Sequence, residues 1–248
     1  MNSLTTFKTE LQNKLGNGGT LHYSLIPCNI NGGLYGSPIS ITPKWLAKKQ
    51  YEELLAERKR RGTAEPVDLG LSVQWASHNL GAPCQEQPGY YVGWGDASCQ
   101  QQSTYYDDYP QRRNIGGTIY DAARQMWGET WRIPTIQEMQ ELMQRCQWQW
   151  TQINGVTGFW ITGSTGNSIF LPAGGDRYGC QYEDAYYFGR YWCDQIDEHD
   201  NARAYLLEFS QTSGNLFTLA RYMGLLIRPV LAKPDTDALK ELRKLWEL

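Results

Sequence analysis

Acidic side chains are concentrated in one short stretch of the sequence, at Asp194, Asp197, Glu198 and Asp200. Closely spaced carboxylate oxygens are the ligands that Ca²⁺ prefers in proteins. The stretch lacks the obligatory glycine and the regular alternation of an EF-hand loop, so its spacing predicts a solvated acidic loop. We therefore expect neither a metal ion nor a cofactor.

A nucleophile, a base and an orienting acid also occur close together, as Cys193, His199 and Asp197. These residue types activate a thiolate in some hydrolases. One histidine six residues after one cysteine is a weak signal of that arrangement. The sequence thus favours a protein with no catalytic residues.

The charge balance excludes two classes of partner. With 23 basic and 26 acidic side chains the net charge is -3, which gives no diffuse attraction to nucleic acid or anionic lipid. The mean hydropathy is -0.56 and no apolar run approaches the roughly 20 residues of a membrane helix, so we expect no direct membrane insertion. The first residues show no signal-peptide pattern, and the localisation stays open.

Aromatic residues are unusually abundant, with 10 Trp, 16 Tyr and 6 Phe beside 25 Gly. This composition favours short strands, many turns, and packing dominated by rings. The six cysteines contain no CxxC pair, and we expect them to be mostly reduced thiols.

Three segments are predicted along the chain. Residues 1–65 form an N-terminal appendage with one helix, which runs from about Pro43 to Arg61 after the helix-start pair Thr42-Pro43. Residues 66–232 form one compact domain. Residues 233–248 form a C-terminal amphipathic helix, which either packs on the domain or joins subunits into a homo-oligomer.

Two helices are expected inside the domain. The first covers Tyr120 to Trp127 and is closed by Gly128. The second follows Pro134, where a capping box predicts its start and five apolar residues share one face. The capping pair is Thr135 and Glu138, and the apolar residues are Ile136, Met139, Leu142, Met143 and Cys146.

Strands dominate the rest of the domain. A tight turn is predicted at Asn154-Gly155. The expected strands are 148–151, 159–162, 168–171, 204–209 and 225–230, separated by Gly-rich loops. Helices followed by strands predict an α+β fold with an antiparallel sheet.

Seven strings of the domain, taken in order, are specific beyond composition. They are 67–76, 120–124, 131–135, 166–173, Tyr191-Trp192, Ala204-Tyr205 with Phe209, and 221–230. In this order they resemble the Fibrobacter succinogenes major paralogous domain, a family abundant in Bacteroidetes and their phages. The resemblance covers roughly residues 66–232. It implies a C-type-lectin-like fold related to the formylglycine-generating enzymes that modify sulfatases.

The resemblance also implies a function. Members with this C-terminal layout include the variable proteins of diversity-generating retroelements, in which a reverse transcriptase rewrites adenine positions near the end of the gene. Surface residues between the Tyr-Trp string and the last strand then vary, which here means Arg190 to Tyr222. The implied partner is a protein or glycan on a target cell surface, and the implied setting is a phage virion or a cell-surface assembly.

The side chains expected to bind this partner are chemically mixed and alternate with large apolar scaffold residues such as Tyr191 and Trp192. A rigid frame would hold them on one outward face, so that little conformational entropy is lost on binding. They are Tyr187, Arg190, Asp194, Asp197, His199, Asp200, Asn201, Arg203, Asn215, Phe217, Thr218, Ala220 and Tyr222.

Two alternatives stay open. One is an invariant adhesin or carbohydrate-binding module of the same fold. The other is a thiol-dependent enzyme, because the formylglycine-generating relatives use a cysteine pair near the C-terminus. Cys180 and Cys193 lack the close spacing of that pair.

Overall fold

The structure, a computed structural model, describes residues 64–99 and 110–233 together with two short strands nearer the N-terminus. The chain divides into two compact units, Met1–Glu57 and Arg58–Leu248. In the first unit, β1 (Ser24–Leu25) pairs with β2 (Ile39–Ser40) in antiparallel orientation. The helices predicted at 43–61 and 233–248 lie outside the described residues.

The described part of the second unit is mainly β-structure with two helices, which agrees with the predicted α+β class. None of its helices is long and apolar enough to cross a membrane. The elements are β3 (Pro66–Val67), β4 (Val73–Ala76), α1 (Ala122–Trp127), β5 (Trp131–Arg132), α2 (Ile136–Arg145), β6 (Gln147–Ile153), β7 (Val156–Thr162), β8 (Ser168–Pro172), β9 (Asp176–Tyr178), β10 (Gln181–Glu183), β11 (Gly189–Ile196), β12 (Arg203–Ser210), β13 (Ser213–Ala220) and β14 (Val230–Ala232).

α2 begins where the sequence predicts, and α1 ends at Trp127 as predicted but begins at Ala122, two residues after the predicted start at Tyr120. The Asp121 carboxylate caps α1 by accepting from the amides of Ala123 and Arg124, and Gly128 follows the last turn with φ 103. The capping box of α2 is complete. The five apolar residues predicted to share one face, four in α2 and its C-cap Cys146, all pack in or against the core.

Among the described residues of the second unit, the strands form three antiparallel sheets and one separate hairpin. The sheets have the orders β3-β4-β14-β5, β6-β7-β8 and β11-β12-β13, and the hairpin joins β9 to β10. Asn154 and Gly155 connect β6 to β7 with φ of 49 and 84. Positive φ at both turn residues is what a two-residue hairpin of type I′ requires, so the predicted turn is confirmed.

The prediction of one strand over 225–230 is wrong in its bounds. β14 begins only at Val230, whereas Leu225 and Leu226 form single bridges to Val92 and Tyr191. Leu225 and Leu226 thus bridge to different partners, and Pro229 has no amide hydrogen to donate. No continuous ladder of hydrogen bonds therefore forms before Val230.

The core lies where α2 meets strands from all three sheets. Met139 and Leu142 of α2 pack with Trp75 of β4, Leu171 of β8 and Leu207 of β12. The shared core means that the three sheets position one another.

We expect Trp192→Ala to destabilise the protein by about 3–5 kcal/mol, because this indole is fully buried and donates from Nε1 to the Val92 carbonyl at 2.7 Å. The free energy of unfolding in urea would measure the loss. Phe217→Ala is the control, since an exposed side chain should cost less than about 1 kcal/mol. A mild effect at Trp192 would contradict its role as a scaffold residue.

Candidate binding surface

The β9–β10 hairpin carries exposed tyrosines on both of its faces. Tyr178 pairs with Gln181, and Tyr182 pairs with Arg177. Because paired residues share a face and neighbours alternate, Tyr178 and Tyr182 lie on opposite faces. Their exposed fractions are 47% and 61%.

Two more exposed tyrosines follow in the turn after β10. Tyr186 and Tyr187 are 57% and 72% exposed. Their backbone is nevertheless held, since the Tyr186 amide donates to the Ala173 carbonyl at 2.7 Å and the Tyr187 amide donates to the Asp184 carbonyl at 3.1 Å. Thr157 donates from its hydroxyl to the Tyr186 carbonyl at 2.6 Å. The two rings are therefore exposed to solvent, whereas the backbone that carries them is held by hydrogen bonds.

The two exposed tyrosine rings of the β9–β10 hairpin contact partly buried tyrosines. The Tyr182 ring meets the Tyr91 ring edge to face at 5.0 Å, and the Tyr178 ring lies 5.8 Å from that of Tyr222. The Tyr91 hydroxyl donates to the Gly174 carbonyl at 2.6 Å, and burial raises its pKa to about 12. We call Tyr182, Tyr186 and Tyr187 the tyrosine surface, and Tyr178 lies on the other face of the hairpin, beside Tyr222.

An ion-pair network ties this surface to the β11-β12-β13 sheet. The Arg190 guanidinium contacts the carboxylates of Asp176, Asp184 at 2.9 Å and Glu208 at 2.6 Å. It also lies 5.0 Å from the centre of the Phe188 ring. Burial raises the pKa of Asp176, which the neighbouring Arg190 opposes. Arg190, predicted to contact the partner, is mainly an internal support.

The β13 residues of the predicted site divide between two faces of the sheet. Asn215 and Phe217 lie opposite Glu208 and Leu206, on the face that carries Arg190. Thr218 and Ala220 lie on the other face, together with Arg203. The expectation of one common face is therefore wrong here, because successive strand residues point in opposite directions.

The β11–β12 loop gathers most of the remaining predicted residues. Asp197 and Asp200 accept hydrogen bonds from the amides of His199 and Ala202, each at 2.9 Å. The bond from the His199 amide lowers the pKa of Asp197. Arg203 donates from Nε to the Thr218 hydroxyl at 3.1 Å.

Polar side chains therefore cross-link this loop to β13. Three of the predicted residues in the loop are exposed to solvent: His199, Asp200 and Asn201. Across residues 64–99 and 110–233, no three His, Cys, Asp or Glu side chains are placed to hold a metal ion.

Asp194 lies beneath the surface, so its assignment to the binding face is wrong. Only 6% of it is exposed. The strand register shifts between Trp192 and Ile196, and the Asp194 amide donates to the Pro134 carbonyl at 2.9 Å. Burial raises the pKa of its carboxyl to about 6, although Arg132 opposes this.

The two cysteines considered for catalysis have different surroundings. Cys180 is exposed in the β9–β10 turn, whereas Cys193 is fully buried. Burial raises the pKa of the Cys193 thiol, so the thiol form is favoured over the reactive thiolate.

The sequence predicted Tyr187 and Tyr222 as binding residues but did not place Tyr182 in the site. The available signal was a short strand pair around Gly179 with one tyrosine in each strand. Searches for similar proteins find no matching family model, no matching curated protein and no matching solved structure.

The buried Asp194 makes stability depend on pH. Its pKa rises from the ordinary 3.8 to about 6 on folding, so the folded state binds the proton more tightly and stability falls as pH rises through this range. Asp194→Asn removes this loss. We expect the difference in free energy of unfolding, Asp194→Asn minus wild type, to increase by about 2 kcal/mol as the pH rises from about 4.5 to about 7.5.

Urea denaturation at both pH values would measure the difference. Asp200→Asn, in the exposed loop, is the control and should show no comparable improvement. An unchanged or opposite pH dependence for Asp194→Asn would show that the carboxyl stays ionised in the folded protein.

Proposed function

We propose that this protein is a non-catalytic binding protein that recognises its partner through the tyrosine surface. The observation that carries the proposal is the combination of three exposed tyrosine rings with a hydrogen-bonded backbone. Tyrosine offers a large amphipathic contact area and loses little side-chain entropy on binding. Such a surface suits the binding of another macromolecule.

The backbone of the turn after β10 supports the same proposal. Asp184 and Tyr186 have φ of 57 and 73, a conformation that costs free energy for residues other than glycine. Non-glycine residues held in this conformation are concentrated at binding and active sites. Here the strained backbone fixes the outward direction of Tyr186.

The surface can extend through Arg190 toward β13. Glu208, which accepts from Arg190, lies opposite Asn215 in the sheet. Phe217, 49% exposed, follows on the same face. We infer that these two side chains contribute to the same recognition surface. The β11–β12 loop with Arg203 and Thr218 forms a second polar patch on the other face.

We further propose a C-type-lectin-like fold for the domain and a role as the variable protein of a diversity-generating retroelement, in a Bacteroidetes bacterium or its phage. The ordered strings of the sequence support this. Burial adds support, because Tyr191, Trp192 and Leu207 are buried, whereas the mixed residues at 199–201 and Phe217 are exposed. The proposed partner is a protein or glycan on a target cell.

The DNA beside the gene tests the diversification part. We expect a reverse-transcriptase gene and a near-copy of the last hundred or so bases of the coding sequence, differing at adenines. A neighbourhood without both would leave an invariant adhesin or carbohydrate-binding module, which uses the same surface.

We expect Tyr187→Ser and Tyr186→Gly each to weaken partner binding about tenfold or more, because exposed tyrosines at interfaces often dominate affinity. Stability should stay within about 1 kcal/mol of wild type, since Tyr187 is exposed and glycine relieves the positive φ at 186. Flow cytometry of the labelled protein on a panel of intact Bacteroidetes cells would measure binding.

The matched control is Ile119→Ser, which removes an apolar side chain that is 67% exposed and lies outside the hairpin. It should leave binding unchanged. Equal losses in all three variants would indicate non-specific adhesion. Unchanged binding in both tyrosine variants would place the recognition surface elsewhere.

A further inference from the structure

A separate cleft of about 290 Å³ opens beside the β12–β13 turn. Met143 of α2, Trp148 of β6 and Phe159 of β7 form its walls, and Phe209 of β12 lies at its base. Phe209 belongs to the core-facing side of β12, with Leu207. The cleft is therefore on the opposite face of the sheet from Arg190, Asn215 and Phe217.

The walls are apolar and fixed in orientation. The Trp148 and Phe159 rings meet edge to face at 5.1 Å, and Phe159 meets Phe209 in the same way at 5.2 Å. Trp148 donates from Nε1 to the Leu142 carbonyl at 3.1 Å, so its polar atom is already satisfied. What these rings offer to a ligand is their apolar surface.

The rim of the cleft is polar and uncharged. Ser210 and Ser213 share a hydrogen bond between their hydroxyls at 2.8 Å, which closes the turn. The side chains of Gln211 and Thr212 are exposed at the opening and make no hydrogen bond within the described part of the chain. No residue that lines the cleft carries a charge.

Gly214 keeps the cleft open. It lies within β13 opposite Phe209, and a Cβ added there would meet only the Phe209 Cβ, at 3.6 Å. Glycine inside a strand costs roughly 0.5–1 kcal/mol relative to alanine and often marks a place where a ligand approaches closely. A larger side chain at this position would fill the cleft.

We propose that this cleft binds one neutral pyranose ring of a glycan. The apolar C–H face of the sugar would pack on Trp148 and Phe159, and its hydroxyls would reach Gln211 and Thr212. A volume of about 290 Å³ is at the small end of ligand pockets, so it suits one ring. The uncharged lining disfavours acidic sugars, because a buried carboxylate without a cation is costly.

The full chain can be tested with methyl glycosides of glucose, galactose, mannose and N-acetylglucosamine, with methyl glucuronide as the charged comparison. We expect at least one neutral glycoside to shift the Trp148 indole signal in NMR with a Kd in the millimolar range, and the glucuronide to bind at least tenfold more weakly. Free indole tests for an aromatic peptide side chain as the alternative occupant.

Gly214→Leu is the decisive variant, because it plugs the cleft without removing a wall. Sugar binding should fall at least tenfold while the melting temperature stays equal or rises. Asn215→Leu is the matched control, since its side chain points to the other face, and it should keep sugar binding. Should Gly214→Leu misfold, the double variant Gln211→Ala with Thr212→Val should weaken binding severalfold.

Tyr187→Ser should bind the sugar like wild type, which separates this proposal from the tyrosine surface. The proposal is overturned if no neutral glycoside moves the Trp148 signal, if Gly214→Leu binds normally, or if indole binds while the sugars do not.

Discussion

The buried guanidinium of Arg228 is the interaction on which the rest of the domain depends. It donates to the Ala76 carbonyl of β4 at 2.9 Å, to the Phe170 carbonyl of β8 at 2.5 Å, and to the Asn79 side-chain oxygen at 2.8 Å. Asn79 donates in turn to the Tyr191 hydroxyl of β11 at 3.3 Å. One cation thus joins all three sheets. Burial lowers its pKa to about 10, so it stays charged near neutral pH. Because a buried charge is tolerated only when its donors are satisfied, these carbonyls and strands must keep their positions.

A second buried arginine extends this frame to the surface. Arg221 donates to the carbonyls of Asn201 at 3.0 Å and Pro110 at 2.6 Å, and its guanidinium lies 4.7 Å from the centre of the Trp94 ring. It therefore anchors the β11–β12 loop from beneath through Asn201, whose own side chain remains exposed. Arg190 holds the β9–β10 hairpin in a similar way, through its ion pairs with Asp176 and Asp184. Buried arginines and backbone hydrogen bonds therefore hold these surface segments in place.

Local signals in the sequence predicted the elements that local chemistry determines. The Thr135 capping box, the apolar face of α2 and the Asn154-Gly155 turn each depend on residues a few positions apart. The candidate site was harder to predict, because its geometry depends on register. Whether Asp194 points inward follows from a shift in strand pairing, and whether Phe217 and Thr218 share a face follows from strand alternation. The long-range contacts of Arg228 leave no local signal in the sequence.

The same alternation explains how one hairpin can carry parts of both proposed binding features without conflict. Along β13, Gly214 and Leu216 face the core side, whereas Asn215 and Phe217 face the side of Arg190. A change at one position alters one face only, so the two surfaces can change independently as long as the strand pairing persists. That pairing is maintained by backbone hydrogen bonds to β12, which in turn is held by β11 and the core. Diversity in the outward side chains is therefore compatible with a fold whose stability resides in the backbone ladder and the buried arginines.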